Sequence, residues 1–207
     1  MTTKQLLLIL FVILYISCVF VGRTFIVWRN TKKFPITYGK TDSAHDFLGR
    51  MFKILIILSI ASPIIYVTSG EFYQYLLPLK IFEINTLEIL GLVLAYISMI
   101  WTIIAQTQMG TSWRIGIDEN NKTELVQKGL FKISRHPIYL GVMTTSFSLF
   151  LVLPNVFNLI VFLMTFLTIM VQARLEEEHM AKIYSEEYLS YSKNTPRWFS
   201  LKLFYEY

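Results

Sequence analysis

Two polar stretches interrupt an otherwise apolar chain, and they hold the residues whose types and spacing could do chemistry. Residues 109–141 contain the triplet Arg135-His136-Pro137, and residues 172–198 contain three consecutive glutamates. Pro137 suits the first turn of a helix, where its missing N–H costs nothing. Arg135 and His136 would then lie at the mouth of that helix, where unpaired N–H groups and the helix dipole favour an anion. The position suits the carboxylate or phosphate of a ligand, and it suits an anchor to lipid phosphates equally well.

An arginine precedes the glutamates at a spacing that puts both on one side of a helix. Arg174 lies three residues before Glu177 and four before Glu178, and residues so spaced are neighbours on a helix surface. A carboxylate facing inward there could bind an ammonium group. The alternative is a solvated amphipathic helix lying on the membrane, and the stretch taken by itself favours that alternative.

The elements that must position these residues are membrane-spanning helices. The chain has 207 residues, of which 54% are hydrophobic and only 16% charged, whereas ordinary soluble domains are about 25% charged. Apolar blocks near the ~20 residues needed to cross a bilayer predict five spans, over residues 5–27, 51–69, 86–106, 137–153 and 156–173. We therefore predict an all-α integral membrane protein with about five transmembrane helices.

The polar stretches divide the chain into two regions. Residues 1–106 form a predicted N-terminal membrane region of three spans, and residues 107–207 form a predicted catalytic region. In the second region only Pro154 and Asn155 separate the fourth and fifth spans, which predicts a helical hairpin. A C-terminal amphipathic helix on the cytoplasmic side is predicted to follow the hairpin.

Lysine and arginine residues concentrate in three segments that connect or follow the spans. They are Arg29, Lys32, Lys33, Lys40 and Arg50 after the first span, Arg114, Lys122, Lys128, Lys132 and Arg135 after the third, and Arg174, Lys182, Lys193, Arg197 and Lys202 in the tail. The positive-inside rule places these segments, the two polar stretches and the C-terminus in the cytoplasm and the N-terminus outside. Topology and anionic membrane lipids then account for the net charge of +5, and no nucleic-acid partner is expected.

The sequence lacks the residue patterns of a metal site and of a nucleotide-binding fold. Cys18 is the single cysteine and lies within the first span, while His45, His136 and His179 are far apart and lack an HExxH-type spacing. No metal site is therefore expected. The chain also lacks a GxGxxG motif and a P-loop. Any cofactor must be held by helix ends and the two polar stretches.

A set of residues in the second region resembles one known family. The set comprises Gly129, Phe131, Arg135, His136, Pro137, Tyr139 and Gly141, then Glu176 and Glu177 after the hairpin, then Tyr188 and Tyr191. This pattern resembles the isoprenylcysteine carboxyl methyltransferase family, in its prokaryotic form, and the related phospholipid N-methyltransferases. The first two spans carry no signature of either.

The resemblance implies S-adenosylmethionine as the cofactor, bound in a cytoplasm-facing pocket. The cofactor-binding residues that it implies are Gly129, Arg135, His136, Pro137, Tyr139, Gly141, Glu176 and Glu177. Glu177, together with Glu176, would bind the methionine ammonium or the ribose hydroxyls, and Arg135 would stabilise the loop or the cofactor carboxylate. Glu177 and Arg174 are also the implied catalytic residues, with Arg174 orienting the acceptor. Many relatives place that arginine at the position of Gln172.

The predicted function is methyl transfer to a lipophilic or prenylated acceptor that enters from the bilayer, foremost a carboxylate as in isoprenylcysteine O-methylation. Such a transfer needs alignment and exclusion of water more than acid–base groups. The alternatives are a phospholipid N-methyltransferase, a sterol-reductase-like oxidoreductase that uses NADPH, and a membrane protein without enzymatic activity. The sequence does not set the oligomeric state.

Overall fold

The computed structural model describes residues 1–35, 43–114 and 124–199. Its helices are α1 (Thr3–Leu14), a π-helical segment (Tyr15–Gly22), α2 (Arg23–Thr31), α3 (Ala44–Thr68), α4 (Gly70–Gln74), α5 (Asn85–Met109), α6 (Pro137–Val152) and α7 (Val156–Asn194). Short 3-10 turns lie at Lys80–Phe82, Gly110–Ser112 and Gly129–Lys132. The predicted all-α class is confirmed for these residues. Lys40, Lys122 and Lys202, used above to orient the chain, lie outside the described residues.

Among the described residues, four helical stretches are long and apolar enough to cross a membrane, which makes the chain an integral membrane protein. They are Thr3–Thr31, Ala44–Thr68, Asn85–Ser112 and Val156–Asn194, and each covers one predicted span. The remaining predicted span corresponds to α6, which has 16 residues. That length is about 24 Å, whereas the hydrocarbon core of a bilayer is about 30 Å thick. The count of five spans therefore stays a prediction.

Local sequence explains where the first helix begins and how it is held. The hydroxyl of Thr2 accepts a hydrogen bond from the N–H of Gln5 at 3.3 Å, and the Gln5 side chain accepts one from the N–H of Thr2 at 2.8 Å. This reciprocal pair is a capping box. In the π-helical segment, the carbonyl of Val19 accepts a hydrogen bond from Gln106 Nε2 of α5 at 3.1 Å. The first helix is thereby fixed against α5.

Helices α5 and α6 approach each other closely because small residues line their contact. A Cβ atom at Gly141 would overlap the hydroxyl of Thr102. Beside it, Ser98 Oγ and Thr145 Oγ1 share a hydrogen bond of 2.8 Å. Small residues and interhelical hydrogen bonds are the usual means by which membrane helices associate. The contact sets the position of α6 and therefore of the Arg-His-Pro triplet that precedes it.

Helix α7 follows α6 after a tight turn and then runs beyond the apolar layer. Asn155 caps it, because its side chain accepts a hydrogen bond from the N–H of Asn158 at 2.7 Å. The helix has 39 residues, about 58 Å, so its second half extends past the ~30 Å core of a bilayer. The predicted C-terminal helix is this second half rather than a separate element, with a break at Ser185, where φ is 46°. Its amphipathic character stays a prediction.

Candidate active site

Glu177 of α7 is the carboxylate on which the polar groups converge. Its Oε1 accepts hydrogen bonds from Arg135 Nη2 at 2.9 Å and Arg197 Nε at 2.9 Å, and lies 3.0 Å from His136 Nε2. Its Oε2 accepts from Arg197 Nη2 at 2.7 Å. A carboxylate offers about four lone-pair sites. Glu177 therefore uses most of its capacity within the protein.

These partners also set the protonation of Glu177. Its side chain is only 12% exposed, and burial by itself would raise its pKa. The hydrogen bonds from His136, Arg197 and Arg135 outweigh that effect and hold the pKa of Glu177 well below its ordinary value. The Glu177 hydrogen bond in turn raises the pKa of Arg197. Glu177 is therefore ionised throughout the neutral range.

Arg135 connects α7 to the segment that follows it. Beyond its bonds to Glu177, its Nη1 donates to the carbonyls of Ser192 at 2.9 Å and Thr195 at 2.7 Å. Its backbone N–H donates to the carbonyl of Pro196 at 3.0 Å. Of the two roles that the resemblance allowed for Arg135, this geometry favours stabilising the loop over holding a cofactor carboxylate.

The loop before α6 is hydrogen-bonded to the C-terminal segment, and together they form one wall of the site. The buried hydroxyl of Ser134 donates to the carbonyl of Arg197 at 3.0 Å and accepts from the N–H of His136 at 3.0 Å. Further along, the hydroxyl of Tyr191 donates to the carbonyl of Phe131 at 2.6 Å. Two stretches that are far apart in the sequence thus close the same side of the molecule.

Aromatic rings form a row beside this wall. The rings of Phe52 and Tyr139 stack at 6.0 Å with an interplanar angle of 15°, and those of Tyr139 and His136 stack at 5.5 Å and 15°. The ring centroid of Trp198 lies 5.8 Å from that of His136. Tyrosine and tryptophan faces attract cations. Three members of the row, Phe52, His136 and Tyr139, line a cavity.

Glu176 occupies a different environment from Glu177, its neighbour in the chain. It accepts hydrogen bonds from the hydroxyl of Tyr139 and, at 3.0 Å, from Gln172 Nε2. Its Oε2 lies 3.8 Å from His136 Nδ1, and its side chain is 25% exposed. Glu176 also lines a cavity. It is thus better placed than Glu177 to meet the ammonium of a ligand.

The cavity that Glu176 faces has a volume of about 260 Å³ and a polar and an apolar end. The polar end is lined by Trp113, Glu124, His136, Tyr139, Glu176 and His179. The apolar end reaches between the membrane helices and is lined by Phe11, Tyr15, Leu55, Ile60, Val142 and Leu149. One cavity therefore joins charged and aromatic groups to a hydrocarbon environment.

Pro137 lines this cavity, and the two glycines of the predicted site allow close packing of the segments that carry them. Gly129 has a φ of 63°, and a Cβ there would overlap the side chain of Gln108. Pro137 begins α6, as predicted, and its carbonyl accepts a hydrogen bond from Trp101 Nε1 at 2.8 Å. Gly141 lies at the contact with α5. Direct contact between these three residues and a cofactor stays a prediction.

Two positions in the first half of the glutamate stretch differ in burial. Arg174 is exposed, and its Nη1 donates to the carbonyl of Met170 at 2.6 Å. The structure does not bring it to the other site residues, and its role in orienting an acceptor stays a prediction. Gln172 is fully buried, 3.4 Å from His45 Nδ1, and holds Glu176. At this position the neutral side chain therefore supports the cavity carboxylate.

Sequence reasoning missed several residues of this site. Arg197 and Trp198 sit in a Pro-Arg-Trp run directly after a helix, and a cation at that place was a usable signal. Phe52 carried no signal, because one aromatic residue in an apolar helix reads as ordinary packing. Residues 1–106 also line the cavity, although no sequence motif marks them. The division of the chain into two regions at residue 106 stays a prediction.

Taken together, the fold and the site define a helical membrane protein with a mostly apolar cavity, part of whose lining is charged and aromatic. Residues 86–187 match the model of the phospholipid methyltransferase family. The match spans α5, the loop before α6, the hairpin and the glutamate pair, and it confirms the resemblance found in the sequence. The matched family is one of methyltransferases, and the long apolar helices are those of an integral membrane protein. A search of curated proteins found no match to the chain.

Proposed function

We propose that the chain binds S-adenosylmethionine at the polar end of the cavity and methylates a lipophilic acceptor that occupies the apolar end. The observation that carries this proposal is one cavity whose lining includes Glu176, His136 and Tyr139 together with apolar residues of the membrane helices. When bound, the cofactor supplies an electrophilic methyl group on a sulfonium. Glu176 would hold the cofactor's ammonium, and the ring of Tyr139 would face positive charge.

The residues around the cavity contribute by holding the two reactants in position. Methyl transfer is an in-line displacement, so the gain comes from aligning the acceptor atom and keeping water out. The Glu177 cluster fixes the loop and the C-terminal segment against each other and so fixes the ring of His136. No proton has to move when the acceptor is a carboxylate, because the oxygen–carbon bond forms as the sulfur–carbon bond breaks.

The foremost acceptor is a lipophilic carboxylate of the isoprenylcysteine type, and an aminophospholipid is a second candidate. The second candidate is favoured by the family description and by the cavity itself, because Glu124, Glu176 and His179 line it. Such groups attract an ammonium and can accept the proton that an amine must lose. Transfer of labelled methyl groups to a prenylcysteine and to phosphatidylethanolamine, measured side by side, separates the two acceptors.

Binding of the cofactor is tested by calorimetry with S-adenosylhomocysteine on the detergent-purified protein. We expect micromolar binding that weakens in Glu176→Gln and in His136→Ala. Arg174→Ala is the matched control on the same helix, and it should leave the affinity unchanged because that side chain is exposed. Absence of binding, with NADPH binding in its place, would refute the proposal.

We also propose that the polar end of the cavity faces the cytoplasm, with the N-terminus outside. The support is the bias of lysine and arginine toward the segments on that side. A reporter fused to the C-terminus should be active only in the cytoplasm. Activity of the reporter on the outer side would contradict this orientation.

A further inference from the structure

Arg23 is a buried cation in the first membrane helix, and the proposed chemistry does not use it. It is the first residue of α2 and is only 8% exposed. It also lies outside residues 86–187, the part of the chain that matches the family model. Taking a charged group out of water costs free energy unless nearby groups compensate for the lost solvation. The groups around Arg23 therefore indicate what its charge does for the protein.

The guanidinium of Arg23 contacts the turn that follows α5. Its Nη2 donates a hydrogen bond to the carbonyl of Gly110, and the same carbonyl accepts a hydrogen bond from the N–H of Trp113 at 3.4 Å. Gly110 has a φ of 56° and a ψ of −131°, a conformation that residues with a Cβ atom rarely adopt. Arg23 therefore binds the carbonyl around which the chain turns from α5 to Trp113.

The same guanidinium lies over the indole ring of Trp113. Its Cζ is 5.6 Å from the ring centroid, and a guanidinium in that position is attracted by the negative face of the ring. The buried Nε of Arg23 has no hydrogen-bond partner among the described residues. The ring face is therefore an important part of what compensates for the burial of this charge, and the contact holds the indole as well as the turn.

Trp113 carries the effect of Arg23 to the cavity. Trp113 is 3% exposed and lines the cavity, whereas Arg23 does not line it. The guanidinium therefore lies behind the indole as seen from the cavity. A cation that is already on the ring repels a second cation brought to the same ring. The indole is thus a poor place for the ammonium or sulfonium of a ligand, and it suits a flat, uncharged ring, which aromatic side chains bind by stacking.

We propose that Arg23 is a positioning residue, which holds the indole of Trp113 in place to stack with the adenine base of S-adenosylmethionine. The inference rests on the proposed function, in which Glu176 holds the ammonium of the cofactor. The adenine base is the flat, neutral part of the same molecule. The first membrane helix thereby contributes to cofactor binding from behind the cavity wall, although Arg23 itself does not touch the ligand.

Calorimetry with S-adenosylhomocysteine on detergent-purified, full-length variants tests this role. We expect Trp113→Leu to weaken binding about 5- to 100-fold, the range for stacking of a base on an aromatic ring. Arg23→Met keeps an unbranched side chain without charge or donors, and it should weaken binding about 3- to 30-fold, a range limited by the strength of a buried cation–π contact. Arg23→Lys keeps the cation but loses the planar fork, so its loss should be smaller than that of Arg23→Met.

Lys4→Met is the matched control on the same helix. The Nζ of Lys4 lies 5.1 Å from the ring centroid of Tyr66 and forms an ion pair of 2.8 Å with Glu88 of α5. Lys4 thus also combines a charged contact with an aromatic ring, but it does not line the cavity that holds Glu176. Lys4→Met should lower the Tm and change the affinity for S-adenosylhomocysteine by less than about twofold, because distant sites act independently.

Tryptophan fluorescence separates a positioning role from a purely structural one. Adenine stacked on an indole quenches its emission, so saturating S-adenosylhomocysteine should quench the native protein more than Trp113→Leu or Arg23→Met. Native affinity and quenching in Arg23→Met would overturn the proposal, and so would native affinity in Trp113→Leu.

Equal losses of affinity in Arg23→Met and Lys4→Met would also overturn it, because they would show a general loosening of the first helix. If Arg23→Met does not fold, Arg23→Lys replaces it: reduced affinity and quenching support the role, and native values contradict it. Absence of binding to the native protein is a different result, which would refute the proposed function and this inference with it.

Discussion

The adjacent residues Glu176 and Glu177 should have different roles, Glu176 in cofactor binding and Glu177 in the stability of the fold. Glu177 meets three cationic or imidazole side chains and is 12% exposed, whereas Glu176 faces the cavity and is 25% exposed. Substituting glutamine at either position keeps the shape of the side chain and removes its charge. We expect Glu177→Gln to lower the free energy of unfolding and Glu176→Gln to lower the affinity for S-adenosylhomocysteine.

The size of the first effect follows from the partners that lose their counter-ion. Breaking a buried ion pair costs about 3–5 kcal/mol, and a hydrogen bond to a charged group is worth about 1.5–3 kcal/mol. Water can solvate part of Arg197, which is 31% exposed, so the loss for Glu177→Gln should be about 3 kcal/mol. Glu176→Gln should cost less than about 1 kcal/mol of stability and about tenfold in cofactor affinity.

Both quantities can be measured on the same detergent-purified samples. Denaturant unfolding followed by circular dichroism gives the stability, and calorimetry with S-adenosylhomocysteine gives the affinity. The reasoning fails if the two variants exchange effects, with Glu177→Gln as stable as the native protein but unable to bind, and Glu176→Gln unstable. It also fails if Glu177→Gln changes neither quantity.

Three further outcomes follow from the same structure. The pKa of Glu177 is held below its ordinary value. Its contribution to the stability of the fold is therefore fully present above about pH 4.5 and is lost as the pH falls further. The Tm of the native protein should drop more steeply in acid than that of Glu177→Gln. Gly141→Ala should destabilise the α5–α6 contact by about 1–3 kcal/mol. Adding Thr102→Ala to that variant should partly restore the stability. Gly70→Ala is the control and should be neutral, because nothing lies within 4 Å of a Cβ atom at Gly70. In Arg174→Ala, an unchanged KM and kcat for the acceptor would remove that residue from the predicted catalytic pair.

The parts of this fold that the sequence could predict are those written in local patterns. Apolar blocks of the right length marked the helices, and Pro137 marked the start of α6 to the residue. The motif residues Arg135, His136 and Glu177 were expected near one another, and they meet within 3.0 Å. That expectation came from the family resemblance. The positions of these residues in the sequence do not by themselves predict that a loop contacts a residue about 40 positions later.

The division of labour between the two glutamates could not be predicted from the sequence. They are neighbours in the chain, but a helix turns by about 100° per residue, so they point toward different surroundings. Which one faces the cavity depends on how α7 is rotated against α3 and α6, and that rotation is set by packing of the whole bundle. The contribution of Phe52 was hidden for the same reason, because a ring in an apolar helix has no distinctive local pattern.

The cluster around Glu177 also acts as a cross-link in the polymer sense. The chain has one cysteine and so cannot form an internal disulfide, yet Glu177 joins Arg135, 42 positions earlier, to Arg197, 20 positions later. Closing the longer loop costs only about 0.6 kcal/mol more chain entropy than closing the shorter one. Two loops are thus tied at a single carboxylate, and unlike a sulfur–sulfur bond this tie forms in a reducing compartment and opens on protonation rather than on reduction.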